Sequence, residues 1–164
     1  MATTRNLRDG KIILQDGSST PKTLEIPISA GDFAFTLNSP TFIIMNRGKI
    51  NSRKNGDEMP TDLSFSVFFE QWSYGNGSAS GISVADCFQG VGGASDWVST
   101  DPCGPFSISI VFEMDNPCAV GEKEVLTFGK FHADTIAFKE GNEYNTLSIT
   151  GKALQQKPTR TYTP

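Results

Sequence analysis

Apolar residues recur at every second position along much of this chain. Across residues 62–70, Leu63, Phe65, Val67 and Phe69 fall on one side, and Ser64, Ser66 and Phe68 on the other. Across 106–115, Phe106, Ile108, Ile110, Phe112 and Met114 alternate with Ser107, Ser109, Val111 and Glu113. A period of two with one apolar and one polar face predicts half-buried strands of an antiparallel sheet. Shorter stretches repeat the rhythm at Leu24-x-Ile26-x-Ile28, Phe33-x-Phe35-x-Leu37 and Leu147-x-Ile149-x-Gly151, and residues 11–14, 41–45, 125–128 and 131–138 are further β-rich runs. Between them lie Asp16-Gly17, Ala30-Gly31-Asp32, Ser39-Pro40, Asn55-Gly56-Asp57 and Glu140-Gly141-Asn142, the residue types that reverse a chain. Strands spaced in this way read as a mainly β sandwich or barrel. One short helix interrupts the pattern. Ser83-Val84-Ala85-Asp86 has the form of a capping box with Asp in place of Glu, and Gly90 ends the segment. Val84 and Phe88, four apart, supply the face that packs it on the sheet.

A length of 164 residues suits one domain, 1–164, and no internal repeat divides it. The chain is 37% hydrophobic and 20% charged, with a net charge of −4, so it has the composition of a folded, mildly acidic protein. No apolar run approaches the roughly 20 residues that span a bilayer, and Arg5 and Arg8 have no apolar stretch behind them to form a secretory signal. Acidity argues against a module that grips nucleic acid, whose affinity comes from Lys and Arg on phosphates.

Candidate chemistry is sparse. Cys87, Cys103 and Cys118 are odd in number and form no C-x-x-C, so no zinc ribbon or disulfide framework is indicated. The strand between Cys103 and Cys118 holds them roughly 25–30 Å apart, far beyond the approximately 7 Å that a disulfide allows between Cα atoms; three reduced thiols are expected. His132 is the single histidine. With Asp134 it has the spacing of a base and its orienting carboxylate on one strand, but nothing marks a nucleophile. Gly75-x-Gly77-x-x-x-Gly81 follows a strand and precedes the helix, yet its third glycine is one place late for a dinucleotide loop, and no βαβ alternation surrounds it. Asn76-Gly77-Ser78 is a formal glycosylation sequon without a secretory context. No metal-ligand spacing appears. Neither a catalytic set nor a cofactor is expected, and the chain reads as a non-enzyme.

Two segments do not read as core. Residues 46–61 are polar, with Arg47, Lys49, Asn51, Arg53 and Lys54 ahead of Asp57 and Glu58. Unstructured connections longer than about 12–15 residues are uncommon in compact domains and usually functional. Basic residues at one end and acidic ones at the other suit head-to-tail contact between copies, so these seven residues are candidates for self-association in an extended inter-subunit loop. Residues 1–10 and the proline-bearing 155–164 read as terminal arms.

The chain as a whole resembles the tail tube (major tail) proteins of long-tailed, non-contractile bacteriophages. Asn6-Leu7-Arg8-Asp9-Gly10-Lys11-Ile12-Ile13-Leu14 with Asp16-Gly17 is similar to that family's first hairpin. Arg47-Gly48-Lys49, Gly56-Asp57-Glu58-Met59-Pro60 and the strand after them are similar to its long loop and the strand leaving it. Trp97-Val98-Ser99-Thr100, Leu126-Thr127-Phe128 and Glu140-Gly141-Asn142-Glu143-Tyr144-Asn145-Thr146 resemble its later elements, so the likeness covers most of 5–158. The resemblance implies a sandwich of tail-tube type with one flanking helix, assembling as homohexameric rings. Such rings stack into a tube around a tape-measure protein, between tail terminator and tail-tip proteins, with DNA passing through and no membrane contact. It also implies a place in the virion tail, built in the bacterial cytoplasm. On that reading, the polar face bearing Ser107, Ser109 and Glu113 is the candidate lumen surface, where acidity lets phosphates slide. Two alternatives stay open: another ring-forming tail part, such as a terminator or tip protein, and a carbohydrate-binding sandwich using Trp72 and Tyr74.

Overall fold

The computed structural model describes residues 10–26, 33–69, 81–116 and 121–164. Within them the chain forms β1 (Gly10–Gln15), β2 (Thr23–Ile26), β3 (Ala34–Thr36), β4 (Thr41–Asn46), β5 (Lys49–Asn55), β6 (Thr61–Phe68), α1 (Val84–Gln89), a 3-10 turn (Gly92–Ala94), β7 (Ile108–Asp115), β8 (Lys123–Lys139), β9 (Thr146–Ala153) and β10 (Thr159–Thr163). All pairings are antiparallel. Eight strands form one sheet, seven of them in the order β2-β1-β7-β8-β9-β6-β3 and β10 added off this path to β8, while β4 and β5 pair only with each other. The fold is a mainly antiparallel β-sandwich with one short helix, as the alternation predicts.

The alternation decides which side is inside. Leu63, Phe65 and Val67 of β6, Leu147 and Ile149 of β9, Ile108 and Ile110 of β7, and Ile12 and Leu14 of β1 are all buried. Their intervening neighbours face outward and stay partly exposed. The long strand β8 joins the two halves. Its first part pairs with β7 up to Phe131, and its second with β9 from Phe131 onward, with register shifts opposite Ile108–Ile110 and at Ala133–Thr135. Lys130 adopts φ 51 beside the first shift. Such irregularities bend a strand and increase its twist, so the sheet curls over itself. Phe33, just before β3, stacks on Phe112 of β7 with ring centroids 4.6 Å apart, and Phe35 lies 5.1 Å from Phe128 of β8. Gly151 occupies the closest approach between strands, since a Cβ there would lie against the His132 carbonyl oxygen.

The helix forms where its caps predict. Ser83 Oγ accepts the Asp86 amide at 3.1 Å, and Gly90 ends α1 at φ 64, where glycine costs least. Phe88 then packs against Phe65 and Phe131. A buried carboxylate fastens this excursion to the sheet. Asp16, at the end of β1, accepts the Lys22 amide at 2.7 Å, the Ser18 hydroxyl at 2.8 Å and the Val98 amide at 3.2 Å. Burial pushes its carboxyl up, but these hydrogen bonds prevail and hold it below the ordinary carboxylate value.

Two expectations are corrected. Residues 46–61 are not an extended loop: Lys49–Asn55 is strand β5, the second arm of a hairpin with β4. Arg47 and Gly48 turn it at φ 50 and φ 77, the pair of left-handed residues that a two-residue hairpin turn requires. Residues 155–164 are likewise not a free arm. Thr159–Thr163 pairs with Thr127–Lys123 of β8 and extends the sheet through backbone hydrogen bonds, although every side chain in it is exposed. Of the N-terminal arm, only Gly10 lies among the described residues.

Candidate assembly surfaces

The β4–β5 hairpin projects from the body. Its base is tied by the Gly56 amide to the Pro40 carbonyl at 2.7 Å, and beyond that its two strands have no extensive packing partner among the described elements. The register places Ile43, Met45, Ile50 and Arg53 on one face and Phe42, Ile44, Ser52 and Lys54 on the other, with Asn51 at the bulge. Phe42, Ile43, Met45 and Ile50 are 53–73% exposed. Ile43, Met45 and Ile50 share one of these faces, and exposed apolar side chains grouped in this way make it a candidate contact surface. Arg47, Lys49, Arg53 and Lys54 are the hairpin's charges and there is no acid among residues 41–55, so it carries +4; with −4 for the whole chain, the remainder carries −8. Asp57 and Glu58 follow at the base, exposed. All seven self-association candidates therefore lie on or beside one projecting element. A reading that took 46–61 as a polar loop did not join them to the apolar residues beside them, because Phe42, Ile43 and Met45, three of those four, belong to β4, before that span.

The predicted lumen set does not hold together. Ser107 is 4% exposed. Its hydroxyl lies 2.9 Å from Thr100 Oγ1, its amide donates to Ser99 Oγ, and its carbonyl accepts the Thr100 amide at 2.9 Å. It stands just before β7 and serves to pin residues 99–101, so it cannot face a channel. Ser109 is half-buried. Glu113 lies between Lys11 at 3.3 Å and Lys123 at 3.8 Å, a carboxylate already matched by cations on both neighbouring strands. Glu113 in turn pushes the Lys11 ammonium up, by hydrogen bond and by charge.

The remaining candidates separate as well. His132 Nδ1 is 2.8 Å from the Phe106 carbonyl oxygen, while Asp134 sits at the β8 bulge, so the two do not form a base and its orienter. Among the described residues, no three His, Cys, Asp or Glu side chains are grouped to hold a metal. Cys87 is buried, and burial, with Asp86 adding, pushes its thiol up to about 12, which leaves it unreactive. Cys103 is a free, exposed thiol. Cys118, Trp72, Tyr74, residues 75–80 of the glycine cluster and the Asn76 sequon lie outside the described residues.

One surface was missed. On the outward side of β8, β9, β6 and β3, the register aligns Thr135, Thr150, Ser64 and Ala34 in one row, and Ala137, Ser148 and Ser66 in the next. Ser66 Oγ and Ser148 Oγ are 3.2 Å apart. Charge enters through the Lys152–Asp62 pair at 3.7 Å and through Asp134, which lines one concavity with Ala34, Ser64 and Thr150, on one side, and Lys139 on the other. The face therefore offers a broad field of small hydroxyls and methyls.

No protein-family model matches the chain, and no curated protein matches its sequence. Among solved structures, the chain is similar to one from the cryo-EM structure of the sheath/tube terminator of an extracellular contractile injection system, PVC, in its extended state. The similarity has a TM-score of 0.62 at 8% identity and covers 98% of this chain and 99% of that one. At that identity, the likeness speaks for the fold over its full length.

Proposed function

We propose that this chain is a non-enzymatic, ring-forming structural subunit of a phage-tail-like tube. The observation that carries the reading is the β4–β5 hairpin, a cationic and apolar arm with no extensive packing partner among the described elements, attached to an acidic body of the fold found in the injection-system terminator. An arm with these properties fits a second copy better than it fits water.

Two positions in such an assembly are compatible with this. The neighbour's role favours a terminating ring at the end of a tube. The resemblance to tail tube proteins favours a stacked homohexamer around a tape-measure protein. A donor arm and an acceptor body are different surfaces, and such contacts build either a closed ring or an open stack. Both readings place the subunit in a virion tail, among terminator and tip proteins, with DNA in transit.

Negative-stain microscopy of the purified chain, alone and mixed with tubes of a cognate tail, tests this. Long tubes from the chain alone support the tube position. Single rings, free or capping tube ends, support the terminator. Monomers alone at high concentration, with tail partners supplied, overturn both.

A further inference from the structure

We infer that Asn55-Gly56, at the foot of the β4–β5 hairpin, is a site of spontaneous deamidation whose pace is set by one backbone hydrogen bond. Asn55 is the last residue of β5 and is exposed, and Gly56 is the first residue beyond the strand. Nothing larger than glycine fits at 56. A Cβ there would lie 2.9 Å from the Pro40 carbonyl oxygen and 3.0 Å from the Pro40 side chain, a closer approach to backbone than real side chains make. The two ends of the hairpin pass too near each other for anything else. The same requirement leaves the amide after Asn55 without a side chain to shield it. The site is a property of the single chain, whether or not rings form.

The chemistry needs only that amide and water. Gly56 N attacks the side-chain carbonyl carbon of Asn55, a succinimide ring closes, and ammonia leaves with the Gly56 amide proton. Water then opens the ring. Its attack at the side-chain carbonyl gives Asp, and its attack at the main-chain carbonyl gives isoaspartate; nothing is oxidised or reduced. In the folded chain the nucleophile is engaged. The Gly56 amide donates to the Pro40 carbonyl at 2.7 Å, and Asn55 is held in register with Thr41. Ring closure requires the amide to turn toward its own neighbour's side chain, so the reaction waits for the hairpin base to open. Either product alters the arm. Asp removes one unit of its positive charge, and isoaspartate lengthens the main chain by one carbon and shifts the amide away from Pro40. The bond that ties the arm to the body therefore also keeps the link beside it chemically intact.

The test incubates the full chain at mildly alkaline pH, folded and in guanidinium chloride. Peptide mapping with an isoaspartate assay follows residue 55 separately from Asn76-Gly77, the other pair of this kind. Hydrogen exchange of the Gly56 amide is measured on the folded chain. Asn55 is expected to convert to Asp and isoaspartate in the unfolded chain. Folding is expected to slow this by about tenfold or more, in step with the protection of the Gly56 amide, because both need the same open fraction. Equal rates in the folded and unfolded chain would show that the bond guards nothing, and overturn the inference. A slow folded rate beside a freely exchanging Gly56 amide overturns it as well, since something other than that bond then holds the reaction back. An Asn55 that stays intact when unfolded removes the site altogether.

Discussion

The β4–β5 hairpin and the β6–β9 pair are built from the same antiparallel ladder, yet they differ in everything beyond it. In β6–β9 the register sets Leu63, Phe65 and Val67 beside Gly151, Ile149 and Leu147, and these side chains lie under a curled sheet. In the hairpin the register is just as regular apart from one bulge, and its apolar side chains face water on both sides. Backbone pairing therefore does not distinguish core from surface here. The difference lies in whether a second layer exists among the described residues, and for the hairpin none of their strands or helices supplies an extensive one. An isolated two-stranded ribbon is at best marginally stable in water, so covering it also orders it.

Excising the hairpin sharpens this contrast most. Replacing Thr41–Asn55 with Asn-Gly, between ends already held by the Gly56–Pro40 hydrogen bond, is expected to leave thermal melting nearly unchanged and to abolish rings and tubes in electron micrographs. Long tubes from the excised chain would break the comparison. Next in size is a pair of phenylalanines. F131A is expected to cost about 3–5 kcal/mol, as fully buried phenylalanines do, whereas F42A in the hairpin should leave monomer stability within about 0.5 kcal/mol, as surface changes do. Equal losses in urea titrations would show the hairpin to be packed after all.

A third prediction concerns Asp16. Its folded carboxyl sits below the ordinary value, so its contribution is present near neutral pH and is lost as pH falls through that ordinary value toward the folded one. D16N removes a charged acceptor from the Lys22 and Val98 amides and the Ser18 hydroxyl, all part-buried bonds, for about 1–3 kcal/mol, and flattens the acid limb of a melting-against-pH curve. An acid limb identical to wild type would sink this. The smallest effect belongs to charge reversal at Arg53 and Lys54. Exposed pairs contribute roughly 0–1 kcal/mol each and are screened by salt, so R53E/K54E should weaken assembly modestly at low salt and barely at high salt. Sedimentation at two ionic strengths reads the difference.

The sequence made legible whatever burial had written into it. Period two located β6 and β7 within one or two residues of their ends, and Ser83 with Gly90 bracketed α1. β5 and β10 were illegible for a common reason. Their side chains are exposed, so they carry no apolar alternation, and only the Arg47-Gly48 turn hinted at the first. Ser107 was misassigned because its alternation is that of β7, although it lies before the strand and under residues 99–101. The hydroxyl face could not be seen at all, since it depends on aligning Ser66 with Ser148, 82 positions away.

Strand β8 has one more consequence. It is a single peptide running through both halves of the sandwich, with irregularities at Lys130 and Asp134 and pairing on either side of each. A load applied at one end of the subunit therefore travels along covalent bonds and a ladder pulled in shear, with no hinge to absorb it. Such a subunit behaves as a strut. Any bending or stretching of a structure made from it has to be taken up where one copy meets the next.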